Sequence, residues 1–188
     1  MTVKEIIKTS SVLLGRDDVY GYLSGDEFLD EDRGRLQAEV NSFIKCVNLT
    51  LNEIATEYIP VIKTETINNY SGYVYFNSLE MNVLDVIGVY DANGNKISFK
   101  TLPVCVKTGS QASKIEYSYI PPEYSLEEVV AYEEKLVPAR VIAYGVASQI
   151  CVIEGMFDQA NVWEKRYKES LKNLIPLKRA KIKGRYWK

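Results

Sequence analysis

Leu36-Gln37-Ala38-Glu39-Val40-Asn41-Ser42-Phe43-Ile44-Lys45-Cys46-Val47-Asn48-Leu49-Thr50-Leu51-Asn52-Glu53-Ile54-Ala55-Thr56-Glu57-Tyr58 repeats its large apolar residues at a fixed interval. From Leu36 through Val40, Phe43, Val47, Leu51 and Ile54 to Tyr58 the steps are four, three, four, four, three and four. That spacing lays one apolar stripe along an α-helix. Asp30, Glu31 and Asp32 stand where a first turn presents the positive end of the helix dipole, and Pro60 closes the run. The spacing predicts a single long helix over about 30–58.

Beyond Pro60 the period changes from helical to two. Over about 62–120, Tyr73–Phe76, Leu84–Tyr90, Lys96–Thr101, Val104–Lys107 and Lys114–Ile120 read as short strands. Asp91-Ala92-Asn93-Gly94-Asn95 separates two of them, and Asn-Gly accepts the positive φ angles of a tight hairpin. Lys114-Ile115-Glu116-Tyr117-Ser118-Tyr119 alternates, giving one buried and one wet face, and Pro121-Pro122 ends the sheet.

Helices are predicted on both sides of this block. Thr2-x-x-Glu5 has the capping-box pattern, Ile6, Ile7, Leu13 and Leu14 share a face, and Gly15 is a stop signal. Residues 16–30 are less regular, with Gly21 and Gly25 as punctuation. Residues 123–137 stay open between a helix, through the capping box Ser125-x-x-Glu128, and a strand through Val129 and Val130. Pro138 opens a further helix that is apolar on nearly every side from Val141 to Ile153, as a central helix would be. Gly155 ends it, and a last helix over about 158–174 carries Trp163, Tyr167, Leu171 and Leu174 as its buried stripe.

The fold class expected is therefore α+β. A helical bundle, made of the long N-terminal helix and a C-terminal αα-hairpin, carries an inserted small antiparallel β lobe. The expected divisions are N-terminal helices over 1–61, the β lobe over 62–122, C-terminal helices over 123–177 and a basic tail over 178–188.

The composition restricts the chemistry. The 188 residues include no histidine, which removes Ser-His-Asp and Cys-His nucleophile pairs and the commonest transition-metal ligand. No metal site, cofactor or small-molecule substrate is expected, and no enzyme activity. Cys46, Cys105 and Cys151 are odd in number and far apart, so free buried thiols are expected rather than a disulfide framework. No apolar run approaches the roughly 20 residues of a membrane span. The first eight residues are interrupted by charge, unlike a secretion signal, so a soluble, cytoplasmic protein is expected.

Several motifs are weaker than they look. Asp91, Asn93 and Asn95 resemble the start of a calcium loop, but Lys96 stands where glycine belongs and Leu102 where glutamate belongs. Glu127-Glu128 and Glu133-Glu134 are adjacent pairs, which suit a solvated face better than an acid and a base converging on one atom. Gly21 and Gly25 lack the Lys-Ser/Thr of a phosphate loop. Of the fourteen tyrosines, Tyr73, Tyr75, Tyr90, Tyr117 and Tyr119 fall in predicted strands, where β propensity alone explains them; a tyrosine-rich interface is the sharper alternative, and composition does not separate the two.

The C-terminus is the best candidate site. Lys178, Arg179, Lys181, Lys183, Arg185 and Lys188 form an acid-free cluster beside Tyr186 and Trp187. Net charge is −2, so removing these six cations leaves −8 on residues 1–177. A basic tail on an acidic body is expected to meet something negative. Lys178, Arg179, Lys181, Lys183, Arg185, Tyr186 and Trp187 could contact an acidic, partly apolar groove on a neighbouring subunit. They could instead bind phosphates and stack on bases, or form a solvated end.

Ala143-Tyr144-Gly145-Val146-Ala147-Ser148-Gln149-Ile150-Cys151, then Glu154-Gly155-Met156-Phe157-Asp158-Gln159-Ala160 and Trp163-x-x-Arg166-Tyr167, resemble the head–tail connector or adaptor (neck) proteins of tailed bacteriophages. The ending Gly184-Arg185-Tyr186-Trp187 is similar to their Arg-x-Trp close. Val86-x-x-Val89, Asp91-x-x-Gly94 and Tyr117-x-Tyr119-x-Pro121 look like their hairpin lobe. The resemblance covers residues 30–188 and is carried by the order of these motifs. It implies a homo-oligomeric ring between the portal and the tail-side neck proteins, lengthening a channel through which DNA passes without sequence-specific binding. It implies no catalytic residue, and a place in the bacterial cytoplasm during assembly and then in the virion neck. The alternative expectation is a DNA-binding or packaging accessory protein acting through the basic tail. A carboxylate-dependent enzyme ranks last.

Overall fold

The computed structural model describes residues 1–69 and 72–175, so the basic tail lies outside the described residues. Within them the chain is mixed helix and antiparallel sheet, the α+β class expected.

Helix α1 (Val3–Leu14) starts in the predicted capping box. Thr2 Oγ1 accepts from the Glu5 N–H at 3.2 Å and Glu5 Oε2 accepts from the Thr2 N–H at 2.7 Å, satisfying two donors that a helix start leaves free. Gly15, at φ +67°, ends it. The stretch after it is more regular than expected, because α2 (Asp17–Ser24) forms there. Gly21 lies inside α2, where a Cβ would come within 2.5 Å of an Asp26 carboxylate oxygen. That oxygen ends an exposed side chain that can swing aside, and glycine's low helix propensity hid the helix.

Helix α3 (Asp30–Glu53) runs as the stripe predicts and continues in a π-helical turn over Ile54–Tyr58. Leu36, Val40, Phe43, Val47, Leu51 and Ile54 are all buried. Helix α4 (Ala139–Ile153) packs against α1, α3 and α5 (Phe157–Leu174). It is buried along most of its length, but Val152 and Ile153 at its end face outward, contrary to the all-round burial expected.

The strands make two three-stranded antiparallel sheets. One has the order β1 (Val61–Asn69), β6 (Ala112–Tyr119), β3 (Val83–Tyr90); the other has β2 (Tyr73–Tyr75), β5 (Cys105–Thr108), β4 (Phe99–Thr101). Central strand β6 places Tyr119 opposite both Val61 and Val83. The Asn-Gly turn does reverse the chain: Asp91 Oδ1 accepts from the N–H groups of Asn93 and Asn95, each at 2.8 Å, and Gly94 has φ +83°. The flanking strands do not pair as a hairpin, however. After the bridge Tyr90–Lys96 and the bond from Ile97 N–H to Val89 O, the chain peels away so that β4 joins the second sheet.

Residues 123–137 are neither helix nor strand. Asn48 holds the backbone of Tyr124 at both its N–H (2.9 Å) and its carbonyl (3.0 Å). Val3 and Lys4 N–H donate to Glu128 and Leu126 carbonyls, so the segment supplies acceptors to donors at the start of α1. Tyr132 Oη donates to Ile59 O at 2.7 Å. One apolar cluster gathers residues of α1–α4, α5 and this segment, a second gathers the strands, and Val61 packs against both.

Candidate docking groove

Cys46, Leu49 and Glu53 recur at helical spacing on α3, and Gly145, Ser148, Gln149, Val152 and Ile153 do so on α4. With Glu164 and Tyr167 of α5 they line a cleft of about 410 Å³. Small residues bring the three helices together. A Cβ on Gly145 would meet Thr50 Cγ2 at 2.7 Å and the Tyr167 ring at 3.1 Å, and Ser148 Oγ donates to Ala160 O at 3.0 Å across the α4–α5 pair.

The edge of the cleft is apolar and open. Leu49 is 58% exposed, Val152 51% and Ile153 67%. Singly exposed apolar residues are ordinary; several around one cleft mark an interaction surface.

The cleft also holds charge and unspent hydrogen-bonding capacity. Burial, with Glu57 and Glu164 nearby, pushes the Glu53 carboxyl above its usual range. Glu164 is held by Lys168 at 2.6 Å, and that bond raises the Lys168 ammonium. Burial raises the Cys46 thiol to about 11, so it is a packing group rather than a reactive thiolate. Gln149 Oε1 and Tyr167 Oη are buried without a hydrogen-bond partner. The Tyr167 hydroxyl lies near enough to Glu53 to favour its ionised form, though outside full hydrogen-bond geometry. Each buried orphan costs about 1–3 kcal/mol. An occupant carrying an apolar group, a cation and a donor would meet all three features.

The other motifs are placed apart from this cleft. Glu127 pairs with Lys4 at 2.9 Å, Glu128 accepts from the Ser125 N–H, and Glu133 and Glu134 are exposed beside Met1. Gly21 is inside α2 and Gly25, at φ +93°, caps it. Asp91 spends its carboxylate on its own turn, which holds it below the usual range. Among the described residues no group of three or more Cys, Asp or Glu could hold a metal ion, and no helix is long and apolar enough to cross a membrane. Lys178, Arg179, Lys181, Lys183, Arg185, Tyr186 and Trp187 lie outside the described residues.

The groove was not anticipated from the sequence, although a signal for it exists. Leu49 stands off the main α3 stripe, and α4 is apolar over more of its circumference than its neighbours in the chain cover. No family model matches the chain, and no curated protein matches it.

Proposed function

We propose that the chain is a structural subunit that joins further copies of itself, as a head–tail connector ring between a phage portal and tail. The observation that carries this reading is the open apolar edge formed by Leu49, Val152 and Ile153 at a cleft with unsatisfied polar groups. A folded chain gains by covering such an edge, and the acid-free basic segment 178–188 gives it a second, complementary surface. Two different surfaces make a head-to-tail contact, which closes into a ring when the rotation per copy allows. On this reading the helices form the ring wall as a bundle of α3 with the α4–α5 hairpin. The strands of 62–122 project as a lobe, and DNA passes along the acidic channel without sequence-specific contacts.

The competing reading, a DNA-binding or packaging accessory protein, rests on the six tail cations beside Tyr186 and Trp187. Sedimentation velocity and negative-stain imaging of the full chain, alone and with a portal, separate the two. Closed oligomers support the connector. A chain that stays monomeric with the portal, yet binds short duplexes with an affinity falling steeply with salt, supports the accessory protein.

A further inference from the structure

We infer that the cleft between α3, α4 and α5 is the seat for the C-terminal segment of a second copy, with Trp187 on the apolar floor and the tail cations over Glu53. This rests on the reading of the chain as a self-assembling subunit and names the contact that would hold it together.

Three observations converge on this occupant. The first is charge. Glu53 is half-buried and pushed toward its neutral form by burial and by Glu57, an effect the nearby Lys168 offsets only in part and Glu164 adds to, and it forms no ion pair within 4 Å among the described residues. Lys168, the nearby cation, is already committed to Glu164. A lysine or arginine from outside relieves that cluster, and residues 178–188 bring six with no acid.

The second is chemistry. Aromatic side chains bury about 150–250 Å² each, and Trp187 offers such a body to a cleft edged by Leu49, Val152 and Ile153. Its indole N–H is a donor, which Gln149 Oε1 lacks, and a tail cation is a donor to Tyr167 Oη.

The third is position. Val152 and Ile153 lie beside the turn at Gly155, whereas α5 ends eighteen residues after that turn, about 27 Å further along the hairpin. The chain therefore leaves its last helix at the end of the hairpin away from the exposed edge. The fourteen residues after Leu174 span up to about 46 Å when extended, a reach that takes in a neighbour's cleft as well as the chain's own, and the crosslinks below separate the two.

The test uses full-length chains, one carrying Ile153→Cys and another Lys188→Cys, mixed and oxidised. The native thiols at Cys46, Cys105 and Cys151 are buried. A disulfide between the two different chains is expected, lost when Trp187→Ala or the pair Glu53→Gln and Glu164→Gln is added. Crosslinking no greater than that of an Asn93→Cys control on the β-turn overturns the assignment. So does a crosslink formed only inside a doubly substituted chain, which would put the tail in its own cleft. Sedimentation of the unsubstituted protein separates the two levels. Closed oligomers without the Ile153–Lys188 crosslink keep the assembly reading and remove this seat. A crosslink with no species beyond a pair keeps the seat and removes the ring.

Discussion

Gly145 is where three helices converge. Its missing Cβ lets Thr50 and Tyr167 occupy the same space, and Thr50 is held in place because its hydroxyl donates to Cys46 O at 2.8 Å. A β-branched side chain fixed in this way yields poorly. Gly145→Ala should therefore cost about 1–3 kcal/mol by overpacking, despite alanine's better helix propensity. A denaturant melt reads this directly, and an unchanged or raised midpoint would show that the crossing has slack. Tyr167→Phe tests the opposite case. It removes a buried hydroxyl with no partner, so stability should hold or rise by about 1 kcal/mol; a fall of that size would mean the hydroxyl is satisfied. Glu53 gives a pH signature. Its carboxyl titrates higher folded than unfolded, so it weakens the fold at neutral pH and ceases to do so as pH falls below the ordinary 4.5. Glu53→Gln should melt higher than the parent at pH 7, and the two should converge in acid. A difference independent of pH would assign the effect to packing.

Among the elements, one tie between distant parts of the chain is electrostatic. Arg16, between α1 and α2, reaches Asp18 (3.4 Å), Glu154 (2.8 Å) at the end of α4, and Glu39 on α3; Arg35 adds bonds to Asp18 and Glu39. Burial raises the Asp18 carboxyl, but the Val19 N–H and the two arginines outweigh it and leave it below the usual range. The network's contribution is thus present above the ordinary 3.8 and is lost as pH falls through the depressed value. Arg16→Ala should cost about 1–2 kcal/mol at neutral pH, between an exposed and a buried pair, and less at high salt. Equal melts for variant and parent would contradict this. The long helices were legible because their burial follows one stripe. Strand β1 was not picked out as a strand because its inward positions include Lys63, which pairs with Glu80, and Glu65, which accepts from the Tyr117 hydroxyl, where an apolar residue would have marked the period. Residues 123–137 could not be assigned for a related reason. Their partners are an asparagine side chain and the start of α1, both far away in sequence and without any period.

For the whole molecule, the pairing of an acidic body with a basic end was visible in the sequence, and the cleft proposed to receive that end was not. Val152 and Ile153 read as core residues of an all-round apolar helix and Leu49 as a stray apolar residue off the α3 stripe, and only the packed chain shows that nothing in the described residues covers the three. Deleting residues 178–188 should leave the described fold and its melting midpoint unchanged while abolishing assembly, as read by sedimentation; normal assembly of the shortened chain would remove the tail from the interface. The central proposal is a place in a virion neck, and the most direct measurement is the copy number of this chain, by quantitative mass spectrometry, in particles purified from the cells that make it. A fixed small number matching the portal is the predicted result. Absence from the particles would contradict the connector reading.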